Sequence, residues 1–232
     1  MLIAVDTATR TASLALYDED HGWVLGEESW YSANNHTVEL MPRLARLLAQ
    51  QGLSPTDAQA EPAEALTGLV VSLGPGSFTG LRIGLGVVKG LALARNLPVV
   101  GVPTLDVVAQ PHKDQRLPIW AVLHAGRGRV CVAHYARDKG RWRRRGDYQL
   151  TTLPQLCEQM SEPALFCGEI DHKDGDLLRE RLGLLATVVS PAASLRRAAY
   201  LAELGWERLR RGSTDDVASL SPIYLHHPSI DG

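Results

Sequence analysis

The feature that most constrains this chain is an order of secondary-structure signals that it writes twice. Residues 2–5, 11–17 and 23–30 are short strand-like runs divided by polar turn residues such as Asp18, Asp20 and Gly22, which predicts two hairpins. Val38, Met41, Leu44, Leu47 and Leu48 then recur at helical spacing up to Gly52, predicting a helix over 35–51. Pro42 is its one irregularity, tolerable near the first turn or as a kink. After a surface loop over 57–65 come a buried strand (66–73), a Gly-rich loop, a helix (80–95), a strand (98–102) and a helix (104–110) with Thr104 as its cap. The second half gives strands over 118–125, 129–135 and 142–150, a helix over 153–160, a strand over 164–167, a helix over 176–182, a strand over 185–189 and a long helix over 192–211. That last helix buries Leu195, Ala199, Ala202 and Trp206 and carries an Arg-rich face of Arg196, Arg197, Arg208, Arg210 and Arg211.

Both halves read βββαβαβα, so the economical architecture is α/β with two similar lobes and a cleft between them. The expected division is 1–110 and 111–232, with a polar linker over 110–117 and the last helix a candidate to pack back on the first lobe. Composition agrees with a packed chain, since 45% of its 232 residues are hydrophobic and 22% charged. A net charge of −2 argues against a dedicated DNA-binding domain or a polybasic membrane anchor. Cys131, Cys157 and Cys167 are odd in number and lack CxxC spacing, which supports neither a disulfide framework nor a cysteine zinc site, and no metal or cofactor is expected. The opening run meets Asp6 with no basic stretch before it, unlike a secretory signal, and the uncharged stretch 65–81 is broken by Gly74, Pro75, Gly76 and Gly80. A soluble cytoplasmic protein without a membrane segment is expected.

The segment Gly74-Pro75-Gly76-Ser77-Phe78-Thr79-Gly80-Leu81-Arg82-Ile83-Gly84 lies between a strand and a helix. Its glycines permit close backbone approach, so Gly74, Gly76 and Ser77, with Asp6, Thr7 and Thr9 of the first turn, are candidate phosphate or nucleotide contacts. The spacing nevertheless fails both the dinucleotide fingerprint and the Walker loop. Gly80, Gly84, Gly86 and Gly90 fall within the following helix, each interior glycine costing about 1 kcal/mol relative to Ala. Some close contact must offset that cost. Packing on the chain's own sheet and docking of a partner helix are both open at this point. The candidate partner-binding residues are His36, Leu40, Leu44, Gly80, Arg82, Ile83, Gly84, Val87 and Gly90.

Between Arg127 and Arg145 stand eight basic residues against one acid, Asp138, a local charge of +7 for which solvation or an RNA contact are the two readings. Ser77 lacks the Gly-x-Ser-x-Gly arrangement of a hydrolase nucleophile, and Cys131, without an activating neighbour, reads as a small core residue.

Taken together, Ile3-Ala4-Val5-Asp6-Thr7-Ala8-Thr9, the His36–Leu44 segment with Pro42, the Gly74–Gly84 loop, Val99-Val100-Gly101-Val102-Pro103-Thr104-Leu105 and the closing Pro222-Ile223-Tyr224-Leu225 resemble the TsaB (YeaZ) family, most strongly over residues 1–105. The duplicated lobes resemble the superfamily of actin, sugar kinases and heat-shock chaperones (the ASKHA fold). The resemblance implies a non-catalytic subunit of the machinery that makes N6-threonylcarbamoyladenosine at position 37 of tRNA. Its implied partners are a TsaD-like catalytic subunit, paired through the first lobe, and a TsaE-like ATPase, with tRNA met indirectly; a homodimer in the partner's absence stays open. In the catalytic paralogue a helix carries two metal-binding histidines four apart, whereas this chain has His36 and then Leu40. A lone imidazole makes no site, and His36 reads as a helix-start contact. Asp6-Thr7-Ala8-Thr9 departs from Asp-x-Gly-Thr by an alanine, and His124-Ala125-Gly126 stands where nucleotide-binding relatives carry an Asp for Mg²⁺ and where this family often has Asp-Ala-Arg. The alternatives are an actin-like-fold kinase or ATPase and a peptidase of the type the wider family has been labelled with.

Overall fold

The computed structural model describes residues 1–32, 35–53 and 66–225; the surface loop expected over 57–65 lies outside the described residues. The first half contains β1 (Leu2–Asp6), β2 (Thr11–Asp18), β3 (Trp23–Tyr31), α1 (His36–Ala49), β4 (Gly68–Gly74), α2 (Phe78–Arg95), β5 (Val99–Pro103) and α3 (Thr104–Ala109). The second contains β6 (Ile119–Gly126), β7 (Arg129–Asp138), β8 (Arg141–Thr151), α4 (Leu153–Glu158), β9 (Ala164–Gly168), α5 (His172–Leu182), β10 (Ala186–Val188) and α6 (Ala198–Leu209). The order is the expected one in both halves. Each sheet has five strands, β3-β2-β1-β4-β5 and β8-β7-β6-β9-β10, antiparallel along the hairpins and parallel where a helix intervenes.

Alternation in β1 explains the three layers of the first unit. Ile3 and Val5 point into a core with Leu14, Leu16, Leu69 and Val71 beneath α1 and α2, while Leu2 and Ala4 face a second core with Val70, Val100, Leu201 and Ala202 beneath α6. A strand covered on both faces must be apolar throughout, as Leu2–Val5 is. In the second unit Val122, Val130, Val132 and Phe166 pack under Leu153 and Leu156 of α4 and Leu178 and Leu182 of α5.

The described chain forms two compact units. The first comprises Met1–Val107 and Arg196–Ile223, and the second Val108–Leu195 together with Tyr224. Residues 110–117 therefore belong to the second unit, and α6 belongs with the first.

Local chemistry shifts several element ends. α2 begins at Phe78 because the Ser77 hydroxyl accepts the Gly80 N–H (3.2 Å), and α5 begins at His172 because Asp171 accepts the Asp174 N–H (2.9 Å). The Thr104 hydroxyl accepts the Gly74 N–H (3.0 Å), so it ties the end of β4 to the start of α3 in place of the expected cap. Pro42 falls at the seventh residue of α1, beyond the first turn, on the exposed face. α6 starts six residues later than periodicity suggests, after a stretch in which Arg196 turns inward.

The candidate partner surface and the filled turn of the first unit

Asp6 ends β1 fully buried. Its Oδ1 accepts the Ala8 N–H (2.9 Å) and the Ser72 hydroxyl (2.8 Å), and its Oδ2 accepts from Arg196 Nε. The same guanidinium donates to Thr9 Oγ1 (3.1 Å) and the Thr11 carbonyl (2.8 Å). Arg196, assigned by periodicity to an Arg-rich helix face, is only 6% exposed. A buried carboxylate with a guanidinium and two further donors is compensated in both charge and hydrogen bonding.

The rest of the candidate phosphate cradle is filled in the same way. Thr7 Oγ1 donates to the Gly80 carbonyl (2.7 Å) and Ser77 spends its hydroxyl on the α2 cap. A Cβ at Gly76 would lie 2.2 Å from the Ala8 carbonyl, and one at Gly74 2.7 Å from the Ile223 carbonyl. These glycines admit the chain's own backbone. Asp6, Thr7, Thr9, Gly74, Gly76 and Ser77, the candidate phosphate contacts, thus have polar atoms or free space taken by the first turn, Arg196 and the 223 carbonyl.

The glycines of α2 separate into two pairs. A Cβ at Gly80 would stand 2.2 Å from the Thr7 carbonyl and one at Gly84 2.2 Å from Thr7 Oγ1, so both let the helix settle onto the β1–β2 turn. Gly86 and Gly90 have nothing within 4 Å of such a Cβ. They lie on an exposed stripe with Phe78, Arg82 and Leu93, which is 76% exposed, and Arg82 lies over the Phe78 ring at 3.6 Å. Beside α2, α1 exposes Val38 (70%) and Met41 (38%). Trp30 fixes α1 from beneath, donating to Glu39 (2.9 Å) and stacking under Arg43, which pairs with Glu28.

The sequence-assigned partner residues divide accordingly. His36, Leu40, Leu44, Gly80 and Gly84 are buried inside the unit and are withdrawn from the surface; Ile83 and Val87 are half-buried against the core; Arg82 and Gly90 stand on the open stripe. Phe78, Gly86, Leu93, Val38 and Met41, which are not among the sequence-assigned residues, are exposed on the same two helices. His36 starts α1, where burial depresses its imidazole pKa, and its Nδ1 has no partner among the described residues.

In the second unit His124 Nε2 pairs with Asp174 Oδ2 (2.7 Å) and its backbone N–H donates to Glu169 (2.9 Å), beside a cavity of about 330 Å³ that also meets Arg129, Leu153 and Leu177. The three thiols are buried, and desolvation pushes Cys131 up to about 11 and Cys167 to about 12. No described helix is long and apolar enough to cross a membrane.

Comparison with known proteins agrees with this architecture. A family model described as TsaD, tRNA N6-adenosine threonylcarbamoyltransferase, matches residues 30–227. The tRNA threonylcarbamoyladenosine biosynthesis protein TsaB of Escherichia coli is 36% identical, covering 97% of this chain and 94% of its own, and that of Bacillus subtilis 30% identical, covering 97% and 93%. The solved YeaZ of Pseudomonas aeruginosa superposes with a TM-score of 0.75 at 27% identity, over 97% of this chain and 99% of its own. The duplicated five-stranded units are those of the actin-like ASKHA fold. With that fold, and with relatives matched along nearly the whole length, the chain belongs to the TsaB family.

Proposed function

We propose that the chain is a non-catalytic, activating subunit in the synthesis of N6-threonylcarbamoyladenosine at position 37 of tRNA. It pairs through the exposed face of α1 and α2 with a TsaD-like catalytic subunit, and a TsaE-like ATPase joins the pair. The observation that carries this reading is the stripe of Phe78, Gly86, Gly90 and Leu93, exposed and apolar, with two positions where a partner helix meets no side chain. The filled turn around Asp6 supports the non-catalytic part, since an Arg and the chain's own carbonyls occupy the groups that a phosphate would need. Alone, the chain is free to pair two copies through the same face.

The test contrasts two glycines of one helix. Gly90→Leu adds a side chain in open space, so the monomer keeps its melting temperature or gains up to ~1 kcal/mol, while overpacking at the interface by about 1–3 kcal/mol weakens association with the TsaD-like subunit roughly 5- to 150-fold. Gly84→Leu drives into Thr7 and lowers the melting temperature instead. Calorimetric titration and thermal melts on both variants decide: unchanged partner affinity in Gly90→Leu removes the interface from this face.

A further inference from the structure

The charge of this chain is segregated. Residues 127–145 hold eight basic residues and one acid, leaving 16 basic against 25 acidic residues elsewhere. Structure turns that segment into one device. Among the described residues β8 is the outer strand of its sheet, paired with β7, and it carries Arg141, Arg143, Arg144 and Arg145. Arg141, Arg143 and Arg145 stand opposite Asp138, Ala136 and His134, so all three share one face. Alternate residues on a strand are about 6.8 Å apart, comparable to the step between successive phosphates along a nucleic-acid strand.

Chemistry on this face favours RNA over a plain solvated edge. Charged side chains do protect an outer strand from pairing with other chains, a role for which Lys is the common choice and which does not call for guanidiniums. Asp138 reaches Arg145 at 3.5 Å and Arg143 at 3.8 Å, too far for tight hydrogen bonds, and Asp147 later on β8 and Glu162 near His134 leave the arginines in excess. The guanidiniums, about half exposed, retain donors for bidentate contact with phosphate. Trp120 stacks on His134 at 4.8 Å on the face that holds Arg145, while Arg144, which points to the opposite face of the strand, lies 3.8 Å over Tyr148. Arginine beside stacked rings is a surface for a polyanion with bases.

We infer that β8 is an RNA-binding track whose arginines follow the phosphate backbone of the tRNA; that the RNA is a tRNA rests on the function proposed above, while the phosphate chemistry does not. The experiment titrates an unmodified tRNA transcript into the full chain by fluorescence anisotropy from 50 to 200 mM salt. Replacing Arg141, Arg143, Arg144 and Arg145 with Gln is expected to weaken binding at least tenfold at the low salt and to reduce the slope of log affinity against log salt by about 3. Replacing the same four with Lys keeps the slope and loses only part of the affinity, which separates charge from fold. Absent tRNA binding by the wild-type chain, or equal binding and slope in the Gln variant, overturns the inference. Binding of the wild-type chain to phosphatidylserine vesicles, but not to tRNA, overturns it in favour of a membrane. Association with the TsaD-like subunit, measured on the Gln variant, is expected to be unchanged, so failure of the track and failure of the partner assignment give different results.

Discussion

At the scale of single residues the interior of the first unit is organised by one ion pair. Asp6 and Arg196 lie 190 positions apart and are both buried, and losing the cation would leave a carboxylate in the core with only two neutral donors. Arg196→Leu is therefore expected to destabilise the chain by about 3–5 kcal/mol in urea unfolding. Adding Asp6→Asn to that variant should recover at least half of the loss, because no buried charge then remains. Equal loss in the single and double variants would mean that Arg196 acts through packing alone. The pair was half legible in the sequence. Asp6 stands out at the end of an apolar run, but Arg196 lies among Ala, Leu and Arg residues of good helical propensity, and no local signal says that one of them turns inward.

At the scale of elements the strands and helices follow the alternating and helical periodicities almost everywhere, and the departures have tertiary causes. Periodicity begins the last helix near 192, yet the approach to Asp6 holds that stretch out of helix until Ala198. Ser77 and Asp171 were readable as caps, although the glycines after Ser77 and the polar opening of α5 obscured both starts. Division of the four α2 glycines was not readable, because sequence spacing does not reveal which side of a helix a turn 70 residues away will occupy. After α6 the chain is held to β5 by Arg208, which donates to Asp215 (2.9 Å) and the Gly101 carbonyl (2.9 Å), and by Asp215, which accepts the Gly101 N–H (2.7 Å). Burial works against the charge of Asp215, but Arg208 and that N–H outweigh it and hold the carboxyl below its usual range. Its contribution is therefore present above the unfolded carboxylate pKa of about 3.9 and is lost as pH falls through the lower folded value. Asp215→Ala should cost about 1 kcal/mol at pH 7, the partly exposed pair being discounted for screening. The difference between variant and wild type should shrink towards pH 3 in urea titrations; a constant difference would assign the effect to packing.

For the whole molecule the mildly acidic range is set by histidines. Burial depresses His36 in the first unit and His112 and His134 in the second, and neither His36 Nδ1 nor His112 Nε2 has a partner among the described residues. The unfolded chain, with ordinary imidazoles near pKa 6.5, takes up protons first, so stability is full above that value and falls as pH drops below it. The urea midpoint is expected to decrease from pH 7.5 to 5.5, and His36→Gln to flatten that decrease; an unchanged slope in the variant would exclude His36 as a contributor.

The return of residues 196–223 to the first unit also sets a timetable for synthesis. Everything up to Val107 leaves the ribosome before the second unit has been made, yet the face of Leu2, Ala4, Val70 and Val100 waits for α6, and Asp6 waits for an arginine 190 residues behind it. At about 5–20 residues per second Asp6 waits roughly 10–40 s for Arg196, and the sheet, complete only once β5 is made, waits about 5–20 s for α6. Throughout the second interval the nascent chain presents an uncovered sheet to the cell's chaperones, and a chain that stops short of residue 196 is recognisable to proteases as unfinished.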